Sequence, residues 1–379
     1  MTKLNYFSNI LDNFKFLTFI LLRKKNKKLI GFADDYFEGN TKHIFLSLKK
    51  YHECFWVSRF KKTVHLLRKN KFYSLNYFTL ILKFVKVDCW ITSNSGRIPS
   101  LFKTINISTD HGIPIKAFTG KKKISHVKTL NKFFHLLPGY QTYDFYKNYY
   151  KINKKKLFIT GYARNDYLFK LSKKERLSFF RKLKLNSKHK TIIYAPTWSH
   201  DHKNQFKKGL FPKKWGDELI VLDHLAKFFN KKKINFIIRL HKYHDVIWNN
   251  DHDNILKKYS NIVKVSSSSH PNSIIFLKYT DLLITDYSSI YNDFLILNRP
   301  IIFIKSLSKI FNKFISTNFP GPSVTSIKDL KKFILISINN KNFYKYKRER
   351  VKNYTHINTN LKFTQNCVNT INKILKNEK

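Results

Sequence analysis

Short apolar runs of strand length alternate with longer amphipathic segments along most of this chain of 379 residues. The clearest unit is residues 281–304, in which an apolar strand, a polar turn, a helical segment and a second apolar strand follow one another directly. The same pattern predicts strands at 29–33, 54–58, 87–92, 105–108 and 133–137, and again at 191–195, 234–240, 262–265, 281–285 and 300–304. Strands that alternate with helices indicate parallel sheets.

A cluster of polar turns between about residues 150 and 190 separates these two series of strands. The interruption predicts two doubly wound α/β domains rather than one barrel. We expect a first Rossmann-like domain at 1–165, a second at 166–345, and a basic helical segment at 346–379 that packs back on the first. Ligands of such sheets bind beyond the carboxyl ends of the strands, so we expect the domains to face each other across a cleft that holds the site.

The formal net charge is +50, from 73 Lys and Arg residues against 23 Asp and Glu residues. Such an excess favours nucleic acid, anionic lipid headgroups or phosphorylated substrates as partners. Most of the basic residues are Lys in a chain rich in Lys, Asn, Ile and Phe, so compositional drift explains much of the excess. The charge nevertheless attracts the chain to an anionic membrane.

The N-terminal region contains an apolar segment at 14–22 that is followed directly by basic residues. It is too short to span a bilayer, and its charges follow the apolar part instead of preceding it as in a signal peptide. The pattern predicts either a segment that lies on a membrane surface or an ordinary core element.

Metal ligands are not evident in the sequence. The three cysteines, Cys54, Cys89 and Cys367, form no CxxC pair and no cluster with histidine, which predicts a reducing compartment and no structural zinc. The nearest pair of carboxylates, Asp34 and Asp35, is interpreted as part of a turn. We therefore expect neither a metal nor a cofactor.

Polar clusters follow five of the apolar runs, each at the point where the strand ends. They are TDHGIP at 109–114, TGYARND at 160–166, APTWS at 195–199, RLH at 239–241 and TDYSS at 285–289. Hydroxyl and carboxylate side chains at a helix start usually cap the helix, but the same N-terminus attracts a phosphate. One site for a charged ligand explains five such clusters better than five separate caps.

His111 is the best candidate for a general base, because it lies in a turn between Asp110 and Gly112. An imidazole with an ordinary pKa near 6.5 accepts a hydroxyl proton at neutral pH, and a neighbouring carboxylate can orient it. The alternative is a hydrogen-bonded turn histidine.

Arginine and histidine side chains in two other clusters suit a phosphate. Arg239 and His241 are two residues apart, so on a strand they point to the same side and offer several donors. In the GYARND turn, Arg164 can neutralise a phosphate and Asn165 can hydrogen-bond to it. Asp166 is predicted to cap the helix that follows.

The ordered set of motifs resembles the CDP-glycerol:glycerophosphate glycerophosphotransferases of teichoic-acid and capsule synthesis. The resemblance runs from about residue 90 to about residue 335, through DHGIPIK, GYARND, YAPTW, RLH, TDYSS, NDF and RPIIF. It implies a GT-B-like fold of two Rossmann-like domains, the first on the acceptor side and the second binding the CDP donor. The implied reaction moves a polyol phosphate from CDP-glycerol, or another CDP-polyol, to a hydroxyl of a lipid-linked or polymeric acceptor and releases CMP.

By the same resemblance, His111 matches the family's proposed base and His241 matches a second essential histidine near the donor phosphates. Ser288 and Ser289 match serines at the pyrophosphate, and Asp293 matches an aspartate that reaches the ribose. The candidate donor-binding residues are thus Arg164, Asn165, Thr197, Arg239, Thr285, Asp286, Ser288, Ser289 and Asp293.

The chain departs from the family pattern at two motif positions. Asp110 replaces a tryptophan before the histidine, and Ala163 replaces the proline of the GYPRND turn. The first 90 residues resemble the family only weakly, through a glycine-to-asparagine pattern from Gly31 to Asn40.

Two rival functions stay open from the sequence. One is a GT-B glycosyltransferase that uses a nucleotide sugar, since fold alone does not fix the donor. The other is a basic nucleic-acid-binding protein, although no recognisable signature for specific nucleic-acid binding is found. For the preferred function we expect a cytoplasmic protein that is peripheral on the inner face of the cell membrane and binds its anionic surface.

Overall fold

The computed structural model describes most of the chain. The described residues are 3–23, 26–93, 98–99, 103–110, 112, 124–170, 172–197, 209–240, 247–266, 270, 272–286, 288–304, 318–357 and 362–378, with side chains from 11 in the first range and from 127 in the range that begins at 124. They separate into two compact units. The first contains the described parts of Met1–Gly112, Gly120–Asp166 and His356–Lys379, and the second contains those of Tyr167–Thr355.

The first unit is built on a parallel sheet of seven strands in the order β3-β2-β1-β4-β5-β6-β7. Its five long apolar runs form strands where the sequence predicts them, and two further strands of three residues lie at the edges. The strands are β1 (Leu29–Ala33), β2 (Glu53–Ser58), β3 (Ser74–Asn76), β4 (Cys89–Thr92), β5 (Ile105–Ser108), β6 (Phe134–Leu137) and β7 (Leu157–Ile159).

The second unit contains a parallel sheet of six strands in the order β10-β9-β8-β11-β12-β13. In both units the strand order reverses beside the first strand of the sheet, between β1 and β4 and between β8 and β11. Ligands of doubly wound sheets bind at this switch point. The strands are β8 (Lys190–Ala195), β9 (Ile234–Leu240), β10 (Ile262–Ser266), β11 (Leu282–Thr285), β12 (Ile301–Ile304) and β13 (Ser323–Val324).

Helices connect the strands of each sheet. Those of the first unit are α1 (Lys3–Leu22), α2 (Gly39–Leu48), α3 (Lys61–Lys69), α4 (Ile124–Leu130), α5 (Tyr140–Asp144) and the C-terminal α14 (Phe363–Asn377). Helix α6 (Asp166–Phe169) begins in the first unit with Asp166 and continues in the second. Those of the second are α7 (Lys173–Lys182), α8 (Glu218–Lys231), α9 (Asn250–Lys257), α10 (Ile274–Lys278), α11 (Ile290–Leu295), α12 (Ile327–Asn339) and α13 (Lys345–Thr355). Short 3₁₀ turns occur at Leu80–Lys83, Lys154–Lys156, Ala163–Asn165 and Lys213–Trp215, and a π-helical turn at Phe145–Tyr149.

Both faces of the first sheet are covered, as the alternation of side chains along a strand requires. On β1, Ile30 and Phe32 join a buried cluster with residues of α2 and α14. Leu29 and Ala33 face the other way, into a cluster with Phe16 of α1 and Trp90 of β4. Each face therefore buries its own apolar core, which is the layering of a doubly wound domain.

Gly31 is required for the packing of β4 against β1. A Cβ atom at this position would lie 2.4 Å from the ring of Trp90, the residue that pairs with Gly31 across the two strands. Because Trp90 is completely buried, its ring cannot move aside without opening the core.

The C-terminal part of the chain forms two helices in different units. Helix α13 belongs to the second unit, where the buried Arg348 donates to Asn298 Oδ1 at 3.1 Å. Helix α14 belongs to the first unit, and the Asp166 carboxylate accepts from Phe363 N at 2.8 Å and from Thr364 N at 2.9 Å. Asp166 thus caps α14, a helix nearly 200 residues away along the chain. The prediction that Asp166 caps the helix directly after it is wrong.

Candidate active site

At the switch point of the first unit, the carboxylate of Asp34 joins the ends of two strands. Asp34 directly follows β1. It accepts from Ser93 Oγ at 2.7 Å and from Ser93 N at 3.1 Å, just beyond the end of β4. Thr92 at the end of β4 donates its hydroxyl to Ala33 O at 2.8 Å. Asp34 therefore ties the two central strands together, while its neighbour Asp35 pairs with Arg59. The two carboxylates, interpreted from the sequence as a turn, have separate structural partners.

Burial raises the pKa of the Asp34 carboxyl to about 6, although hydrogen bonds from Ser93 and Thr92 oppose the shift. A carboxyl whose folded pKa lies above the unfolded value stabilises the fold when it is protonated, and this contribution is lost as the pH rises toward 6. We expect the free energy of unfolding of the native protein to fall by about 2 kcal/mol more than that of Asp34→Asn between about pH 4.5 and about pH 7.

Denaturant unfolding of both proteins at the two pH values measures this difference. Other groups that titrate in the same range, such as the buried His135, contribute equally to both proteins and cancel. A gap between the two proteins that is independent of pH would contradict the assignment.

The turn after β5 begins with Thr109 and Asp110, whose side chains are both buried. Asp110 adopts the left-handed backbone conformation, with φ of 53°. The hydroxyl of the buried Tyr146 donates to Asp110 Oδ2 at 3.4 Å. Burial and the nearby Asp110 raise the pKa of Tyr146 well above its usual value, so this hydroxyl keeps its proton. His111, the predicted base, is the next residue and lies outside the described part of the chain.

The backbone of the GYARND turn in the first unit depends on the glycine at its start. Gly161 has φ of 77°, and a Cβ there would lie 2.2 Å from the ring of Phe363. The guanidinium of Arg164 lies 4.3 Å from the centre of the Tyr162 ring, and only 9% of the residue is exposed. Asn165 is fully buried, and its side-chain amide has no hydrogen-bond partner among the residues described. A contact of these two side chains with a donor molecule stays a prediction.

The second unit repeats the carboxylate bridge at its own switch point. Asp286, directly after β11, accepts from Thr197 N beyond the end of β8 at 2.9 Å, and also from the hydroxyl of Thr197. Its Oδ1 atom accepts from Ser288 N at 3.1 Å. Thr285 at the end of β11 donates to Ala195 O at 2.6 Å and is fully buried. Each unit thus has a carboxylate and a threonine hydroxyl that join the two strands of its switch point, although the carboxylate follows β1 in the first unit and β11 in the second.

The serines of TDYSS lie before the helix rather than within its first turn. Helix α11 begins at Ile290, and Ser289 precedes it as an exposed residue whose side chain makes no capping hydrogen bond. Ser288 is half-buried, and its hydroxyl accepts from Ile290 N at a long 3.5 Å. The two hydroxyls thus lie directly before the first residue of α11, in the turn that Asp286 holds.

Two further predicted donor-binding residues lie in the second unit. Arg239 is the sixth residue of the fully buried strand β9, and its guanidinium lies 4.9 Å from the centre of the Phe276 ring. Asp293 belongs to α11 and is 9% exposed. His241, the expected partner of Arg239, follows β9 and falls outside the described residues.

Several residues near these turns were not singled out from the sequence. Asp34 was interpreted as part of a turn, and Ser93, Tyr146 and His270 were not considered. Burial and the charge of Arg239 lower the pKa of His270, so this histidine lies within electrostatic reach of the predicted phosphate-binding arginine. None of the four belongs to a recognisable motif. The one signal for Asp34 and Ser93 is that each directly follows a predicted strand.

Comparison with known proteins gives the family. A family model described as CDP-glycerol:poly(glycerophosphate) glycerophosphotransferase matches residues 14–373. A relative named teichoic acid poly(glycerol phosphate) polymerase, from Bacillus spizizenii, is 28% identical in an alignment of 205 residues that covers 47% of this chain and 51% of the relative. A protein of the same name from Bacillus subtilis is 28% identical in an alignment of 164 residues that covers 36% of this chain and 22% of that protein. The matched segment thus spans about half the length of the first relative, and less of the second.

The fold has a counterpart among solved structures. The wall teichoic acid polymerase TagF matches with a TM-score of 0.72 and 20% identity, over 100% of this chain and 99% of that one. The likeness confirms the predicted GT-B-like fold with two parallel-sheet α/β domains. With a family model that matches nearly the whole sequence, this chain belongs to the CDP-glycerol:poly(glycerophosphate) glycerophosphotransferase family.

Proposed function

We propose that this chain transfers glycerol phosphate, or a related polyol phosphate, from a CDP-activated donor to a hydroxyl of a lipid-linked or polymeric acceptor. The reaction would contribute to a teichoic-acid-like or capsule polymer at the cell surface. Family membership supports this activity, and so does the presence of the family's motifs at the carboxyl ends of strands in both units. The main structural support for a donor site is the pair of hydrogen bonds that Asp286 accepts from Thr197 N and Ser288 N. They hold the turn that places Ser288 at the switch point of the second sheet.

In the proposed reaction, an acceptor hydroxyl oxygen forms a bond to the β-phosphorus of the donor. The bond from that phosphorus to the oxygen of CMP breaks, and CMP leaves with the bonding electron pair. His111 takes the proton of the acceptor hydroxyl. Arg239 and His241, with the Ser288 and Ser289 turn, stabilise the negative charge on the pyrophosphate.

Asp286 is best explained as a residue that holds the donor turn rather than as a ligand of the donor. A carboxylate beside a pyrophosphate is repulsive, whereas its oxygens already accept from Thr197 and Ser288. Thr285 has a similar role, since its hydroxyl is buried on Ala195 O. Thr197 shares this role, because its N–H and its hydroxyl both donate to Asp286. The hydroxyls of Ser288 and Ser289 then supply the neutral donors at the phosphates.

The activity is tested directly with the purified chain, CDP-glycerol and a synthetic lipid acceptor. Mass spectrometry should show an acceptor enlarged by glycerol phosphate, with an equal amount of CMP released. Thermal shift measurements with CDP-glycerol, CDP-ribitol and a panel of UDP and GDP sugars identify the nucleotide donor. Stabilisation by a nucleotide sugar alone, with transfer of the sugar, would replace this proposal by the glycosyltransferase alternative.

We further propose that the protein is cytoplasmic and binds peripherally to the inner face of the cell membrane, where a lipid-linked acceptor would lie. No helix in the described part of the chain is long and apolar enough to cross a bilayer. Helix α1 packs Phe16 into the first unit but exposes apolar side chains on its opposite face, namely Leu11, Phe14, Leu21 and Leu22. Phe14, Leu21 and Leu22 are 69%, 80% and 79% exposed.

Basic residues lie close to the exposed face of α1. A groove at the amino ends of the strands in the first unit is lined by the cations Arg23, Lys28, Lys86, Lys103, Lys132, Lys155 and Lys156. Arg23 also lines the groove along α1 that includes Phe14 and Leu22. An apolar helix face beside a basic groove complements an anionic bilayer surface.

Replacing Phe14 and Leu21 by serine together should weaken binding to phosphatidylglycerol vesicles by about tenfold or more, because each buried side chain contributes about 1.5–3 kcal/mol. Vesicle co-sedimentation measures the change. A Leu177→Ser/Ile220→Ser protein is the matched control, since these side chains are 46% and 59% exposed in the second unit. Equal binding by both double variants and the native protein would refute the role of α1.

A further inference from the structure

The side chain of Asn40 connects two of the motif turns in the first unit. Asn40 is the second residue of α2 and is only 3% exposed. Its amide nitrogen donates to Thr109 O at 3.0 Å and to Asp110 O at 3.1 Å. Its amide oxygen accepts from Arg164 N at 3.3 Å. One buried side chain thus holds the backbone of Thr109 and Asp110 as well as the GYARND turn.

The backbone that Asn40 holds is in a conformation that needs support. Asp110 has a positive φ of 53°, which costs a residue with a Cβ about 1–2 kcal/mol. Aspartate tolerates this region better than most residues, and Tyr146 holds its side chain. Both carbonyl groups bound by Asn40 belong to the two residues that precede His111, so their orientation sets the direction in which the chain enters that residue.

We propose that Asn40 is a positioning residue that fixes the backbone leading into His111 and couples it to the GYARND turn. The kinetic part of this proposal rests on the proposed role of His111 as the base. A base that is displaced by about 1 Å loses much of its effect, because proton transfer requires hydrogen-bond distance in the reacting complex. The hydrogen bonds of Asn40 to Thr109, Asp110 and Arg164 all lie within the first unit.

The variant Asn40→Asp isolates the two donated hydrogen bonds, since a carboxylate has the same shape and still accepts from Arg164 N. Hydrogen–deuterium exchange with mass spectrometry should show faster exchange in the peptide that covers residues 105–112, while peptides of the second unit stay unchanged. This readout needs no transfer activity. Unchanged exchange in that peptide would overturn the proposal.

For catalysis, we expect Asn40→Asp to lower kcat for glycerol-phosphate transfer by about tenfold and to leave the affinity for CDP-glycerol within about twofold. In a double-mutant cycle, His111→Ala/Asn40→Asp should be no slower than His111→Ala, because Asn40 acts through the base. Additive losses would show that Asn40 acts elsewhere and would overturn its role.

The matched control is Asn235→Asp, which also removes a buried amide that donates to a backbone carbonyl, Asn186 O, at 2.7 Å. This variant should lose stability without faster exchange at residues 105–112 and without a selective loss of kcat. If the buried carboxylate of Asn40→Asp prevents folding, Asn40→Ser provides the same readouts. If exchange changes as expected but the native protein transfers no glycerol phosphate, the proposed function is wrong. The role of Asn40 in fixing the backbone before His111 is then still supported.

Discussion

Replacing His111 by alanine is expected to lower the kcat of glycerol-phosphate transfer by about 10²- to 10⁴-fold, which is the usual contribution of a general base. The acceptor hydroxyl must lose its proton as it attacks the phosphorus, and a neutral imidazole accepts it near pH 7. The affinity for CDP-glycerol should change little, because the residues proposed to bind the pyrophosphate lie in the other unit. Steady-state kinetics with CMP release as the readout measure both quantities.

The pH profile gives a second, independent readout of the same prediction. In the native protein, kcat/KM should fall as the pH drops below the pKa of the base, which is about 6.5 for an unperturbed histidine. In His111→Ala the residual rate should lose this inflection. His65→Ala is the control, because His65 is exposed on α3 of the same unit. A His111→Ala protein with native rate and native pH profile would exclude this base.

Replacing Asp286 by alanine is expected to weaken CDP-glycerol binding by about 10- to 100-fold. The carboxylate accepts from Thr197 N and Ser288 N, and each of these partly buried donors costs up to about 1–3 kcal/mol when it is left without a partner. The turn relaxes to satisfy these groups, and the donors at the phosphates move with it. Isothermal titration with CDP-glycerol measures the loss of affinity.

Asp281→Ala is the matched control at the other end of the same strand. Asp281 precedes β11 and accepts from Thr191 N at 2.9 Å and from Lys190 Nζ at 3.3 Å, so it also bridges β11 and β8. Its removal should lower the denaturation midpoint without a loss of donor affinity. If both variants lose affinity only in proportion to their loss of stability, Asp286 has no specific part in the donor site.

The sequence predicted the long strands well and missed the short ones for a physical reason. The ten predicted runs all correspond to strands, within two residues at each end. Among the described residues, three strands were missed, namely β3, β7 and β13, which have two or three residues and lie at sheet edges. A strand with one neighbour buries less surface, so its sequence needs no long apolar run.

The sequence located the functional turns but not the contacts within them. Asp286 was selected with the rest of TDYSS as a group near the donor, and its bridge to Thr197 depends on a residue 89 positions away. Asp34 was interpreted as a turn residue for the same reason, because its partner Ser93 lies 59 positions along the chain. Local propensity carries no information about such partners.

By itself, the sequence determined the fold class, the order of the ten long strands, and the family of the chain. These follow from hydrophobic periodicity and from ordered motifs, both of which are properties of short segments. Only the tertiary structure decided which polar side chains hold the turns, because parallel strands bring distant segments together at the switch point of each sheet. Asp34 and Asp286 acquire their bridging roles there, through partners 59 and 89 positions away along the chain. Asn40 acquires its role beyond the ends of β5 and β7, because a buried amide must find partners that its neighbours in sequence do not provide.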